Sequence, residues 1–170
     1  MLVAVDVDYR DDYRAIAAGA EFRDWSSGTV EDIVLHSIAD VRPYVPGRFF
    51  ERELPCILAV LEKCPKAIEA VIIDGYVHLG DDRRDGLGAH LYCALKEEIA
   101  VVGIAKSSFH DTPSDVEVLR GGSTRPLYVT SVGMTDTAAK QLVLSMHGEH
   151  RIPTVIAAAD RACRTAPYVT

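Results

Sequence analysis

The sequence predicts an α/β fold: one mixed sheet, three antiparallel strands followed by parallel crossover strands, with helices on both faces. Three features carry that reading. Three β-rich runs near the N-terminus are separated by short gaps, the spacing of an antiparallel meander. Two later runs, Ala70-Val71-Ile72-Ile73 and Val101 to Ala105, carry no charge, as strands covered on both faces do. Between and after them, apolar residues recur at helical spacing.

Leu2 to Val7 is the first strand, Ala15 to Phe22 the second and Ile33 to Val41 the third, which Pro43 and Pro46-Gly47 end. Leu54, Ile57, Leu58 and Leu61 fall at i, i+3, i+4 and i+7. They predict a helix that begins near Leu54 or Pro55 and stops at Pro65. Ala67 to Asp74 is the fourth strand. After a loop with Gly80-Asp81-Asp82-Arg83-Arg84, the spacing of Leu87, His90, Leu91, Ala94 and Leu95 predicts a second helix with Asp85 as N-cap. Ile99 to Ala105 is another strand. Val116 to Leu119 and Leu127 to Val132 pair as a hairpin around Gly121-Gly122. Thr135 to Met146 is helical and closed by Gly148, and Pro153 is the first residue of a last helix. This order is that of ribonuclease H-like folds, an analogy that does not set function.

A chain of 170 residues predicts a single domain, 1–170. Its 48% hydrophobic and 25% charged content excludes disorder, collagen and coiled coil. No apolar run approaches the roughly 20 residues of a membrane helix. The opening Met1-Leu2-Val3-Ala4-Val5-Asp6 lacks the basic segment of a signal peptide. Cys56, Cys64, Cys93 and Cys163 form no CxxC pair and read as buried thiols of a reduced protein. The expectation is therefore a cytoplasmic protein with no membrane partner, taken as a monomer without a residue pattern that sets its oligomeric state. The net charge of −7 counts against a strongly electrostatic nucleic-acid binder. It is uneven, since residues 1–40 hold nine acids against three bases. An acidic chain still binds a polyanion where carboxylates hold divalent metals and basic residues line one groove. A plain solvated surface accounts for the charge equally well.

Four acids stand where a core is expected. Asp6 shares a strand face with Leu2 and Ala4, so coverage on both faces would bury it. Its ordinary reading is a strand-end turn residue. Asp74 ends a buried strand, where functional groups gather in open α/β sheets, or else it opens a DG turn. Glu53 follows the third strand and precedes a helix, where the helix dipole alone favours an acid. Asp160 falls on the apolar stripe of Ile152, Ile156, Ala159 and Cys163, or at its wet edge. Together they matter more, because the topology makes the Asp6 and Asp74 strands neighbours. Hard oxygen ligands without His or Cys suit Mg²⁺ or Mn²⁺. Two such ions about 3.5–4 Å apart would clamp the attacking water and the leaving oxygen of a phosphodiester. Lys106, at the end of the Val101–Ala105 run, would face the same centre or simply solvent.

Several segments occur in one order: Val3-Ala4-Val5-Asp6-Val7-Asp8-Tyr9, Pro43-Tyr44-Val45-Pro46-Gly47, Arg52-Glu53-Leu54-Pro55, Ile73-Asp74-Gly75, Gly88-Ala89-His90-Leu91, Val102-Gly103-Ile104-Ala105-Lys106-Ser107 and Arg151-Ile152-Pro153 with Asp160. This series resembles endonuclease V, the deoxyinosine 3′-endonuclease family. The resemblance implies a ribonuclease H-like nuclease that uses Mg²⁺, or Mn²⁺, and recognises inosine in DNA or RNA, in repair or RNA processing. It implies cleavage at the second phosphodiester bond on the 3′ side of inosine. Carried over by motif, Asp6, Glu53 and Asp74 would be metal ligands, Asp160 an additional acid and Lys106 the basic residue. Tyr44 would be the wedge beside the inosine. Pro46, Gly47 and Gly75 would help hold the extruded base. His90 is carried over as a residue beside the substrate, although its place on an apolar helical stripe also reads as a packed core histidine. The resemblance departs from the family in three places. Glu51 stands where Phe is usual. Tyr76-Val77-His78-Leu79-Gly80-Asp81-Asp82-Arg83 replaces the usual loop after Asp-Gly. Ser131-Val132-Gly133-Met134 replaces Ser-x-Gly-His. Family members usually carry a further helical segment before the first strand, which starts at residue 2 here. Two alternatives stay open: a non-catalytic nucleic-acid-binding module on the same scaffold, and a nuclease of altered specificity.

Overall fold

The structure, a computed structural model, describes residues 1–11 and 13–169. It builds a seven-stranded sheet from β1 (Leu2–Tyr9), β2 (Ala15–Phe22), β3 (Asp32–Ile38), β4 (Ala70–Ile73), β7 (Ala100–Ala105), β8 (Glu117–Val118) and β9 (Leu127–Val132). A two-stranded ribbon, β5 (His78–Leu79) with β6 (Arg84–Asp85), stands apart. The sheet order is β3-β2-β1-β4-β7-β9-β8. β1 pairs antiparallel with β2 and parallel with β4, and β4 pairs parallel with β7. The mixed sheet and meander thus agree with the sequence reading.

Alternation along the strands sorts the core into two layers. Val3, Val5, Val71, Ile73 and Val101 face α1 (Phe50–Leu61) and α2 (Leu87–Ala94). Leu2, Ala4, Ile72, Val102 and Ile104 face α3 (Asp136–Ser145) and α4 (Thr154–Thr165). β2 is rich in Ala and Gly and is wholly buried, so helices approach it closely on both sides. Arg10 ties the carboxyl end of α4 to the β1–β2 turn by donating to the carbonyls of Cys163, Arg164 and Ala166. A cation there complements the helix dipole. Among the described residues the four cysteines are free thiols, and no helix is long and apolar enough to cross a membrane.

Several boundaries differ from expectation. β3 stops at Ile38. α1 begins at Phe50, a turn before the expected start, and carries Pro55 inside it at the cost of one backbone hydrogen bond. Its buried stripe is Glu53, Cys56, Ile57 and Val60, which places Glu53 inward. Asp85 belongs to β6, and Gly86 caps α2 without a side chain. Pro153 is the N-cap of α4, one residue before its helical part.

One glycine holds the loop after β4 in place. A Cβ on Gly103 of β7 would lie 2.5 Å from the Gly75 carbonyl oxygen and 2.9 Å from the Val77 amide nitrogen. That amide donates to Thr130 Oγ1 at 2.8 Å, so the loop has nowhere to retreat. Gly103→Ala is expected to cost about 2 kcal/mol, as overpacking does. A thermal melt should show the midpoint lower by about 6 °C.

Candidate active site

The strand register brings the predicted acids together. Val5 lies beside Ile73, so the next residues, Asp6 and Asp74, leave adjacent strands at the same level. Three alternating series end in charge on one face of the sheet: Leu2-Ala4-Asp6, Ala70-Ile72-Asp74 and Val102-Ile104-Lys106. Their apolar members lie in the α3–α4 layer. Lys106 Nζ accordingly stands 2.6 Å from Asp74 Oδ2. Burial alone would lower the Lys106 ammonium, but its bond to Asp74 outweighs this and raises it.

Glu53 arrives from the opposite layer on α1. It is 7% exposed. Its Oε2 accepts one long hydrogen bond, 3.4 Å, from the Tyr9 hydroxyl, and among the described residues no Lys or Arg pairs with it. The neighbouring Arg52 guanidinium instead lies over the Tyr9 ring, 4.1 Å from its centre. Glu21, also fully buried, makes the contrast, because Lys66 Nζ stands 3.2 Å from its carboxylate. Burial first, and then repulsion from Asp6 and Asp74, pushes Glu53 up to about 8. Burial and Asp74 push Asp6 up to about 6, against the opposing pull of the Val7 amide and Lys106.

Asp160 lies at the rim of the α4 stripe. Its charge acts on Asp6 and Lys106, but its Oδ1 accepts from Arg164 Nε at 2.8 Å. The donors are hard oxygens that repel one another, with one ammonium among them. That chemistry fits a divalent cation such as Mg²⁺ or Mn²⁺. The acids are neighbours and not a finished cage: among the described residues no three His, Cys, Asp or Glu side chains converge on one ion position. The Lys106 bond to Asp74 holds one of the three carboxylates toward the ammonium.

A cleft of about 340 Å³ opens beside Asp74. Its lining joins Tyr44, Gly47, Phe49 and Phe50 with Gly75, Tyr76, Leu87 and Phe109. Its size falls within the range of about 300–1,000 Å³ typical of small-ligand sites. Tyr44 is 59% exposed and tilts against Phe49, ring centres 6.3 Å apart. Pro46 and His90 lie outside the lining. The His90 ring stacks on Phe50 at 3.8 Å, so Phe50 is the face presented to the cleft and His90 backs it. The sequence reading does not single out Phe49, Phe50, Tyr76 or Phe109. The Phe49-Phe50 pair just after Pro46-Gly47 is a usable signal, whereas Phe109 sits in a loop with none.

These carboxyl groups set a pH dependence. The folded chain binds a proton at Glu53 more tightly than the unfolded chain, whose ordinary value is 4.5. That advantage is fully present below pH 4.5 and is lost as the pH rises toward 8. Asp6 acts in the same direction up to about 6. The metal-free chain should therefore melt at progressively lower temperature from pH 5 to 8. Added Mg²⁺ should recover the loss at pH 8 and do little at pH 5. A melting temperature flat across this range in EDTA would contradict the arrangement.

Comparison with known proteins places this geometry. The Endonuclease V family model matches residues 1–132. Endonuclease V of Streptomyces coelicolor is 32% identical, over 97% of this chain and 78% of its own length. The crystal structure of endonuclease V from Streptomyces avermitilis superposes with a TM-score of 0.74 at 28% identity, covering 96% of this chain and 79% of that one. Endonuclease V of Ciona intestinalis, solved with a 24mer DNA containing an inosine followed by a ribo-adenosine, shares the fold. Its TM-score is 0.75 at 17% identity, over 96% of this chain and 83% of that one. With its ribonuclease H-like mixed sheet, the chain belongs to the endonuclease V family of nucleases.

Proposed function

We propose that this chain hydrolyses a phosphodiester bond on the 3′ side of inosine in nucleic acid, with a divalent cation held by Asp6, Glu53 and Asp74. The observation that carries the reading is the buried, poorly compensated Glu53 carboxylate beside Asp6 and Asp74, next to an aromatic cleft. The Ciona relative's complex with inosine-containing DNA supports the substrate class. When bound, Mg²⁺ or Mn²⁺ supplies an acidified water and a counter-charge for the leaving oxygen, and two such ions would serve both.

The chain's own residues supply the rest. The cleft takes up the inosine base, extruded at a cost of a few kcal/mol. Tyr44 occupies the space the base leaves, as an aromatic ring at a strand does. Gly47 and Gly75 let the backbone approach the base closely. Lys106 stands where the scissile phosphate would lie and offsets its developing negative charge. Asp160 adds negative charge at the edge of the site and restrains Lys106. The Tyr9 hydroxyl keeps Glu53 turned toward the other acids.

A second reading has its own support. Lys106 pairs with Asp74, and the acids do not close on one point. A chain that kept this arrangement would bind inosine-containing strands without cutting them. A third reading, relaxed specificity, is favoured by the Tyr76 and Leu79 positions in the cleft, which lie in the divergent loop.

The test is a labelled inosine oligonucleotide and its adenosine control, each with Mg²⁺. One product from the inosine strand alone is expected. Asp6→Asn should lower the rate by at least about 10³-fold, the scale of a lost metal contribution of several kcal/mol, with the melting transition retained. Tyr44→Ala should raise KM about tenfold, as loss of base stacking does, and erode the preference for inosine. Binding without cleavage would establish the second reading, and equal cleavage of both strands the third.

A further inference from the structure

A second depression, of about 300 Å³, is lined by Lys106, whose ammonium pairs with Asp74 of the aromatic cleft. Lys106, Arg125 and Arg151 line it together with the hydroxyls of three Ser and Thr side chains, and Pro126 and Tyr128 complete the wall. No carboxylate lines it, in a chain whose net charge is −7. Arg125 is exposed, and among the described residues its guanidinium makes no ion pair.

The walls of this groove are built. Arg151 is half-buried and spans them, donating to the Lys106 carbonyl at 3.0 Å and the Pro126 carbonyl at 3.4 Å. The segment that carries Arg151 is fixed in turn by Arg120. Its guanidinium donates to the carbonyls of Met146, Gly148, His150 and Arg151. Gly121, at φ +61°, lets this segment pass, since a Cβ there would lie 2.3 Å from the His150 carbonyl carbon. On the cleft side, the Tyr76 hydroxyl donates to the Ser107 carbonyl and accepts from the Phe109 amide. The ridge of residues 106–109 between the two depressions is therefore held from both flanks.

We infer that this groove is a phosphate subsite for the strand beyond the cut, with Arg125 as its principal free cation. The inference rests on the nuclease reading, because it places the base in the aromatic cleft and the scissile phosphate at Lys106. A strand continuing past Lys106 enters the groove directly. Its cations and hydroxyls offer donors to phosphate oxygens, and a ring such as Tyr128 stacks on any base alike, so the subsite senses strand length and not sequence. A substrate that stops at the cut leaves it unused.

The experiment separates binding from hydrolysis. Two fluorescent single-stranded inosine oligonucleotides share their 5′ part. One ends at the nucleotide before the scissile bond and carries a 3′-phosphate in place of the scissile group, and the other continues four nucleotides further. Both are titrated by anisotropy in EDTA, so that neither is cut. The longer strand should bind about tenfold tighter to the unmodified chain, the scale of one charge-assisted phosphate contact. Arg125→Ala should erase that difference and leave the shorter strand unaffected. Arg125→Lys should restore part of it. The salt dependence of binding to the longer strand should fall by about 0.7 in log–log slope per lost contact. Equal affinity for the two strands, or an Arg125→Ala loss of the same size on both, would overturn the subsite. A parallel incubation of the longer strand with Mg²⁺ tests hydrolysis separately. Length-dependent binding that needs Arg125, without any nick, would leave the subsite standing and remove the nuclease reading.

Discussion

The structure depends on the parallel register of β1 with β4 and of β4 with β7. Backbone pairing fixes Val5 beside Ile73 and Ile73 beside Gly103. Side-chain alternation then decides what leaves each strand at its carboxyl end and on which face. A shift of one residue in any of these pairs would send Asp6, Asp74 or Lys106 to the other layer. The dry β-branched interior of these strands is therefore what aims three charged groups at one place, at the sheet edge where α/β folds gather their chemistry.

Much of this was legible in the sequence because period two is a strong signal over short buried runs. Leu2-Ala4-Asp6 and Ala70-Ile72-Asp74 show an acid ending an apolar face, and the short gaps between the first three strands select the meander. Glu53 was harder to place. Leu54, Ile57, Leu58 and Leu61 make an equally regular stripe, and only the packed structure shows that the inward face runs through Glu53, Cys56, Ile57 and Val60. Pro55 misled for a similar reason. Proline usually marks a helix start, but here packing of α1 on the sheet outweighs one lost backbone bond. The cleft wall was least legible. Tyr76 and Phe109 meet through a loop hydrogen bond, which no periodicity encodes.

The carboxylates are also a local conflict within the fold. A core favours apolar contact or paired charge, and among the described residues no Lys or Arg forms an ion pair with Glu53. Glu21, the other buried acid of this region, differs in having a lysine beside it, although among the described residues its carboxylate oxygens accept no hydrogen bond. Such a difference between two buried acids is what the proposed site requires, since local conflicts of this kind are where folds trade stability for function.

Arg120 has a consequence of a different kind. All of its bonds to the stretch from Met146 to Arg151 end on main-chain oxygens. Side chains at Glu149 and His150 take no part in that clamp, whereas His147 Nδ1 meets Thr154 Oγ1 at 3.0 Å. One guanidinium thus holds the contour of the segment through four main-chain oxygens, and replacing the exposed Glu149 or His150 side chain would leave that clamp in place.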